Sequence, residues 1–270
     1  MDKIAVYCGT RNLYPVMTVA AKSLLYNTPV DRVFFFIEDD GFPDDIPDII
    51  TTVNVSAQTF FPPSGANYSS SWTYMAYIRL ALTKILPEIH QALYLDTDTL
   101  VLKDISPLLS ADLVDCFFGM VAEDIGDVPL EICKSFVHFN RTIIPFQSDS
   151  PRPSYPVRPY FNSGVMLMNL DLLRSSGMDD ALIHELNTVS YPYPDQDAIN
   201  ILCNGRIAPF PTEYNVIASL IPDFPQDAVR IKHFASDKPL WKSSLWQSFK
   251  RLPWDAVMTR HNTLKGVCTL

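Results

Sequence analysis

Along the first 60 residues, short continuous apolar runs alternate with a stretch in which apolar residues recur at helical spacing. Residues 3–9 and 32–38 are apolar runs with β-branched or aromatic side chains, and they predict buried strands. Residues 14–26, between them, have apolar side chains at helical spacing, and residues 51–57 predict a third strand. A strand–helix–strand order at this spacing favours a parallel sheet with helices on its faces.

The pattern resumes after a proline- and serine-rich loop at residues 60–71. Ser71 is the predicted N-cap of a helix over residues 72–86, which Pro87 ends. Residues 124–160 are rich in proline and charge and predict a long surface excursion of the kind that forms a lid. The remaining predicted elements are strands at residues 92–96, 99–102, 117–122, 164–169 and 230–234, and helices at residues 171–187 and 195–203.

No internal repeat or low-complexity linker divides the chain, which favours one compact α/β domain over residues 1–241. Residues 242–270 follow as a tail with five basic residues and one acidic residue, interleaved with aromatic side chains. That mixture is typical of a weak membrane-surface anchor. The alternative, favoured by the helix interruption at Pro253, is a C-terminal segment packed on the body with Trp246 and Phe249 in the core.

Composition excludes several classes of function. The chain of 270 residues has 21 basic and 30 acidic residues, a formal net charge of −9, which argues against a nucleic-acid partner. It has only nine glycines and no dinucleotide-binding or P-loop motif, and its five cysteines form no CxxC pair. No signal-peptide pattern and no apolar run of about 18 residues occurs, so we expect a cytoplasmic protein, at most peripheral at the inner face of the membrane.

Two aspartates after a predicted strand carry the main chemical signal. Asp96 and Asp98 follow the apolar residues 92–95, and in an extended chain their side chains point to one face. Ligands of open α/β sheets bind beyond the carboxyl ends of strands, and hard cations commonly use one or two carboxylates. The pair predicts a divalent-cation site, against the alternative that the aspartates only cap a helix or form a turn.

Other candidate residues each have a simpler structural interpretation. His233 is either a core histidine or a third metal ligand, in which case its imidazole favours Mn²⁺ over Mg²⁺. Arg79 lies at the edge of an apolar helix face and is either exposed to solvent or paired with the aspartates. Asn162 is either a turn residue or a ligand contact. Asp195 and Gln196 begin a helix, where aspartate is also favoured as a capping residue.

Seven segments in order resemble the family 8 glycosyltransferases, a retaining family that includes bacterial galactosyl- and glucosyltransferases and glycogenin. The segments run from about residue 3 to residue 241 and read IAVYCGTRN, AAKSLL, YIRLAL, LYLDTDTLVLKDISPL, YFNSGVMLMNL, PDQDAIN and IKHFASDKPLW. The resemblance implies a single Rossmann-like domain of the GT-A type that binds a nucleotide sugar. It also implies a UDP-hexose donor, a glycan, protein or lipid-linked acceptor, and Mn²⁺ or Mg²⁺ as cofactor.

The resemblance also implies roles for individual residues. Asp96, Asp98 and His233 match the manganese ligands, and Gln196 and Asp195 match the catalytic positions. Glu123 or Asp124 matches a carboxylate that faces the acceptor. The positions that match donor-binding residues are Cys8, Gly9, Thr10, Asn12, Arg79, Asp96, Thr97, Asn162 and Lys238.

Two departures from the family pattern bear on the donor. Thr10 stands where the family often has an aspartate, which puts the uracil contact in question. The segment from His233 to Lys238 lacks the usual glycine and is one residue shorter, and Leu240 is inserted after it. The loop over the diphosphate is therefore expected to differ.

Retention at the anomeric carbon requires either a covalent intermediate or attack from the side of the leaving group. A carboxamide is a poor nucleophile, so the sequence favours same-face attack, with Gln196 supporting an oxocarbenium-like centre. Two alternatives stay open. One is a nucleotide-sugar-binding protein that has lost activity, and the other is a phosphatase with a DxD motif, for which Leu100 stands where threonine or valine is expected.

Overall fold

The computed structural model describes residues 2–43, 45–69, 73–123, 142–143, 155–156, 159–217, 219–221, 223–235 and 240–268. The strands are β1 (Ile4–Gly9), β2 (Arg32–Ile37), β3 (Ile50–Asn54), β4 (Gln91–Leu95), β5 (Thr99–Val101), β6 (Phe118–Ala122), β7 (Thr142–Ile143), β8 (Tyr155–Pro156), β9 (Phe161–Asn169), β10 (Ile207–Phe210), β11 (Val216–Ile217) and β12 (Ile231–His233). The helices are α1 (Tyr14–Asn27), α2 (Tyr74–Tyr77), α3 (Leu82–Ile85), α4 (Ser106–Leu109), α5 (Leu170–Ser176), α6 (Met178–Thr188), α7 (Pro194–Leu202), α8 (Ser244–Arg251) and α9 (Trp254–Cys268).

A seven-stranded sheet in the order β10-β6-β9-β4-β1-β2-β3 forms the centre of the fold. Strand β9 runs antiparallel to both of its neighbours, β4 and β6, while the other four pairings are parallel. The predicted α/β class with a mostly parallel central sheet is therefore confirmed. The surface excursion predicted for residues 124–160 lies mostly outside the described residues; within it, β7 pairs with β8.

The strand order reverses at β1. From β1 the chain passes through α1 to β2 and then to β3 on one side, whereas β4 returns to the other side of β1. Because β1 and β4 are parallel, their last residues, Gly9 and Leu95, lie at the same edge of the sheet. A reversal of this kind opens a crevice beyond the carboxyl ends of the strands, where ligands of open α/β sheets bind.

Strand β1 is buried on both faces, as its uninterrupted apolar sequence predicts. Ile4, Val6 and Cys8 pack into one apolar cluster and Ala5 and Tyr7 into the cluster on the opposite face. The central strand therefore fixes the two helical layers relative to the crevice at its carboxyl end.

Two helices predicted as continuous are interrupted. The helix predicted for residues 72–86 is divided into α2 and α3 by a 3₁₀ turn at Ile78–Ala81 and begins after Thr73; Ser71 and Trp72 lie outside the described residues. The helix predicted for residues 171–187 is divided into α5 and α6 at Gly177, whose left-handed φ of 71° ends α5. A left-handed glycine is a common helix terminator, and apolar spacing alone does not reveal it.

The tail packs on the body. Trp246 and Phe249 of α8 are buried in an apolar cluster with Val19 of α1. Lys22 of α1 donates from Nζ to the Leu252 carbonyl at 2.7 Å, so the link between α8 and α9 is also held. We therefore expect residues 242–270 to fold with the domain. Among the helices in the described ranges, none combines the length and apolar character needed to cross a bilayer.

Gly177→Ala should lower the free energy of unfolding by about 1 kcal/mol, because a side chain disfavours the left-handed conformation at φ 71°. A Cβ at this position meets no other atom within 4 Å, so backbone strain is the only cost. Urea unfolding measures the difference. Gly266→Ala in α9 is the matched control, since a Cβ there also has open space and alanine is the better helix former. Equal effects of the two substitutions would contradict the strain argument.

Candidate active site

Asp96 and Asp98 lie on a turn between β4 and β5. Thr99 N donates to the Asp96 carbonyl at 3.2 Å and Thr99 Oγ1 donates to the same oxygen at 2.7 Å, which closes the turn. The two carboxylates share a face, as expected, but the extended chain invoked to explain it is wrong. The turn brings them together, and Thr97 between them is buried with 9% of its surface exposed.

His233 reaches the two aspartates through a separate three-stranded sheet in the order β11-β12-β5. Strand β12 pairs antiparallel with β5, so that His233 lies opposite Thr99. Its Nε2 is 3.3 Å from Asp98 Oδ1 and 3.6 Å from Asp96 Oδ2. His233 is buried, but it faces carboxylates, so the interpretation as an ordinary core histidine does not hold.

The three side chains fit a divalent cation. One ligand atom from each of Asp96, Asp98 and His233 lies within 4.8 Å of the other two. Two carboxylates and an imidazole suit Mn²⁺ and leave coordination positions for phosphate oxygens. Gly164 makes room for this cluster, because a Cβ on it would come within 2.2 Å of His233 Cε1 and 2.8 Å of Asp96 Oδ2.

The charges within this cluster depend on one another. Burial disfavours the charged form of His233, but the neighbouring carboxylates, chiefly Asp98, together outweigh it and raise the pKa of the imidazole. Burial also disfavours charged Asp98, yet His233 brings the pKa of that carboxyl below its ordinary value. The site therefore favours a positive charge between the carboxylates, which either a proton on His233 or a cation supplies.

Arg79 neutralises the same region from the opposite side. It is carried by the 3₁₀ turn between α2 and α3 and is only 8% exposed, so it does not extend to solvent. Its Nη1 lies 3.0 Å from Asp96 Oδ1 and 3.4 Å from Asp195 Oδ2. The guanidinium also stacks on the Tyr94 ring at 4.2 Å, and the Tyr94 hydroxyl donates to Asp96 Oδ1 at 2.7 Å.

Helix α7 brings Asp195 and Gln196 to the site. Asn200, one turn later, donates to the Phe161 carbonyl at 2.8 Å and accepts from Phe161 N at 2.8 Å, which fastens the helix to β9. Burial, with the nearby Asp96 charge adding to it, raises the pKa of Asp195 although Arg79 opposes this shift.

Asp197, the residue after Gln196, takes a capping role. Its Oδ2 accepts from the Tyr193 N–H at 2.9 Å, at the start of α7. Asp195 and Gln196 face inward instead, so the capping interpretation fails for these two residues.

Gln196 and Asn162 form an amide cluster beside the carboxylates. Gln196 Oε1 accepts from Ser163 N at 2.9 Å and from Asn162 Nδ2 at 3.1 Å. Its Nε2 donates to the Tyr160 hydroxyl at 3.1 Å and to Glu123 Oε1 at 3.3 Å, and Asn162 Nδ2 donates to the same Glu123 oxygen at 2.7 Å. Glu123 is therefore tied to these amides. Asp124 and Lys238 lie outside the described residues.

The end of β1 and the residues that follow it lie at the same sheet edge as the turn after β4. Burial raises the pKa of the Cys8 thiol, although Arg79 opposes this, and so disfavours the thiolate form. Gly9 packs closely against α1, since a Cβ there would come within 2.5 Å of Met17 Sδ and that side chain would have to shift. The Thr10 hydroxyl donates to Asn12 Oδ1, and Asn12 is exposed on a 3₁₀ turn just before α1.

Sequence reasoning missed several residues that shape the site. Three of them, Tyr94, Tyr160 and Gly164, lie inside recognised motifs, but nothing in the sequence pattern indicated a role for them in the site. Asn215 lies in no recognised motif. Its Oδ1 is 2.9 Å from His233 Nδ1 and its Nδ2 donates to Asn162 Oδ1 at 2.8 Å, contacts that join distant parts of the chain.

Comparison with known proteins gives a consistent result. Residues 4–243 match glycosyl transferase family 8. The chain is similar to a putative glycosyltransferase of Haemophilus influenzae, with 26% identity over 204 residues that cover 72% of this chain and 57% of the relative. It is also similar to lipopolysaccharide 1,2-glucosyltransferase of Escherichia coli K12, with 31% identity over 198 residues that cover 71% of this chain and 48% of the relative.

The fold also resembles solved structures. The galactosyltransferase LgtC in complex with donor and acceptor sugar analogs superposes with a TM-score of 0.57 at 21% identity, over 98% of this chain and 95% of that chain. At this identity the likeness shows the GT-A fold alone. The chain spans about half the length, or less, of the curated relatives it matches.

Gly164→Ala should weaken Mn²⁺ binding about tenfold or more, because the added methyl displaces the imidazole of His233. Calorimetric titration of Mn²⁺ into the purified chain measures the dissociation constant without any turnover. Gly266→Ala serves as control, since it adds the same methyl group in open space. Unchanged Mn²⁺ affinity in Gly164→Ala would show that these three side chains do not form the metal site.

Proposed function

We propose, because the chain belongs to glycosyl transferase family 8, that it is a retaining glycosyltransferase that transfers a hexose from a UDP-sugar. The hexose is glucose or galactose, the acceptor is a glycan, protein or lipid-linked sugar, and Mn²⁺ is the preferred cofactor, with Mg²⁺ as a substitute. The observation that carries this proposal is the convergence of Asp96, Asp98 and His233 at the strand-order reversal, next to Arg79 and Gln196.

The first requirement of the reaction is to neutralise the negative charge that builds up on the departing nucleotide. A bound Mn²⁺ would be held by Asp96, Asp98 and His233 and would neutralise the diphosphate as it departs. Arg79 keeps Asp96 in position through its 3.0 Å ion pair. Lys238, by the family resemblance, would contact the same phosphates.

The nucleoside is proposed to bind along Cys8–Asn12, at the carboxyl end of β1. Gly9 lets the backbone approach the helix behind it, and Thr97, on the turn after β4, is proposed to border the segment. Thr10 and Asn12 supply hydroxyl and amide groups for the uracil and ribose.

The transferred sugar is proposed to lie against Arg79, Asn162, Asp195 and Gln196. Gln196 Oε1 already accepts three hydrogen bonds, one from Asn162 and two from Ser163, which makes this weak nucleophile weaker. That supports attack on the same face as the leaving group, with Gln196 stabilising positive charge at the anomeric carbon. Glu123, hydrogen-bonded to both amides, is proposed to face the acceptor, and Asp124 is the other candidate.

A nucleotide-sugar-binding protein without transferase activity is the second candidate function. The shortened segment between His233 and Lys238 favours it, because a loop that closes poorly over the diphosphate would bind the donor without turnover. Release of UDP distinguishes the two candidates.

Contact with anionic lipid through residues 242–270 stays a prediction. Trp246 and Phe249 are buried and are not available to a bilayer in this conformation. Lys250, Arg251 and Arg260 are exposed, so any such contact would be electrostatic and would disappear at high salt. Nucleic acid is not an expected partner, given the net charge of −9.

Incubation with UDP-glucose or UDP-galactose and Mn²⁺ should release UDP, and exhaustive chelation should stop the release. Asp98→Asn should lower the rate about 100-fold or more, because loss of a metal ligand removes several kcal/mol of transition-state stabilisation. Asp115→Asn is the control, since Asp115 is exposed and precedes β6 at the opposite edge of the sheet. Full activity after chelation would rule out metal dependence, and UDP binding without release would favour the second candidate.

UDP together with Mn²⁺ should raise the melting temperature more than the sum of their separate effects, since ligand and metal share coordination. At about 100 times its dissociation constant a ligand adds about 2.7 kcal/mol to the free energy of unfolding. Thermal scans with UDP, ADP and no nucleotide make the comparison. Equal stabilisation by ADP would remove the uridine assignment.

A further inference from the structure

A continuous series of hydrogen bonds connects His233 to Gln196, and it passes through Asn215. His233 Nδ1 lies 2.9 Å from Asn215 Oδ1, and Asn215 Nδ2 donates to Asn162 Oδ1 at 2.8 Å. Asn162 Nδ2 in turn donates to Gln196 Oε1 at 3.1 Å and to Glu123 Oε1 at 2.7 Å. The side chain of Asn215 therefore touches both the imidazole and the amide cluster.

The chemistry of the metal end fixes the direction of every bond in this series. For Nε2 of His233 to offer a lone pair to a cation, Nδ1 must carry the ring proton and donate to an oxygen. Asn215 must then turn its oxygen to His233 and its NH₂ group to Asn162. Asn162 is left with its oxygen toward Asn215 and its NH₂ group toward Gln196. A flipped amide at either asparagine would place donor against donor and acceptor against acceptor.

The backbone around Asn215 holds its side chain in place. Asn215 is only 4% exposed, and its N–H donates to the Thr212 carbonyl at 3.0 Å. The next residues form β11, which pairs with β12 so that Ile217 lies opposite His233. Both polar ends of the Asn215 side chain are thus satisfied by protein groups in a buried setting, where hydrogen bonds are strong and a lost partner is costly.

We propose that Asn215 is a positioning residue that couples the orientation of the metal ligand His233 to the amides that hold the donor sugar. Through Oδ1 it keeps His233 in the tautomer that binds a cation, and through Nδ2 it fixes Asn162 and hence Gln196. The part of this proposal that concerns the sugar-binding amides rests on the proposed function, whereas the part that concerns metal binding depends only on His233.

Two substitutions separate the effect of Asn215 on metal binding from its effect on the sugar-binding amides. Asn215→Leu removes both hydrogen bonds at nearly constant volume. Asn215→Asp keeps an oxygen for the Nδ1 proton of His233 but turns a second oxygen toward Asn162 Oδ1, which breaks only the second contact. The control is Asn67→Leu, which removes another buried amide, one that donates to the Leu186 carbonyl and accepts from Tyr191 N.

The test is calorimetric titration of each variant with Mn²⁺ alone, and then with UDP, UDP-glucose and UDP-galactose in the presence of Mn²⁺. Asn215→Leu should raise the Mn²⁺ dissociation constant about 10- to 100-fold. Asn215→Asp should bind Mn²⁺ and UDP no more weakly than the unsubstituted chain, but should lose the extra affinity that the hexose adds to UDP. Asn67→Leu should change neither affinity, although its thermal stability falls.

Unchanged Mn²⁺ affinity in Asn215→Leu would overturn the proposal, and so would parallel losses of metal and sugar affinity in Asn215→Asp. If the unsubstituted chain binds Mn²⁺ but no uridine nucleotide, the proposed function fails. The Mn²⁺ titrations of the Asn215 variants then still decide whether Asn215 positions His233.

Discussion

Repulsion among three carboxylates at a buried sheet edge is the constraint on which the rest of the site depends. Asp96, Asp98 and Asp195 converge where the strand order reverses, and like charges at this depth cannot stay unpaired. Arg79 offsets the repulsion from one side and His233 from the other. The protein thereby keeps a position between the carboxylates that favours positive charge and could hold a metal ion.

Support for this edge comes from elements far away in sequence. Strand β12 reaches the aspartates only because it pairs with β5, and α7 is fastened to β9 by Asn200. Helix α1, which follows the proposed nucleoside segment, packs against α8 and α9. Lys265 of α9 also pairs with Asp31, just before β2, at 2.7 Å. The C-terminal helices thus stabilise the wall of the crevice from behind.

Local sequence patterns were enough to predict the elements whose apolar residues follow one clear pattern. The strands β1, β2 and β4 are buried runs and were predicted within one or two residues of their bounds. Strand β10 was missed because it contains Pro209, which a central strand excludes but an edge strand such as this one accepts. The breaks at Ile78–Ala81 and Gly177 were missed because they do not interrupt the apolar spacing.

The candidate site was predictable only where one motif carries its chemistry. The aspartate pair was found from the sequence although the geometry invoked for it was wrong, and the roles of His233 and Gln196 came from the family resemblance. Asn215 is 18 residues from His233 and 53 from Asn162, and only the folded chain shows that it joins them.

The central claim is that Asp96, Asp98 and the Nε2 atom of His233 hold one divalent cation against the diphosphate of a bound nucleotide. Anomalous diffraction at the manganese edge, from crystals of the chain grown with Mn²⁺ and UDP, tests it most directly. The account predicts one strong peak within coordination distance of these three side chains and of the diphosphate oxygens. A peak elsewhere, or a nucleotide bound without manganese at this turn, would contradict it.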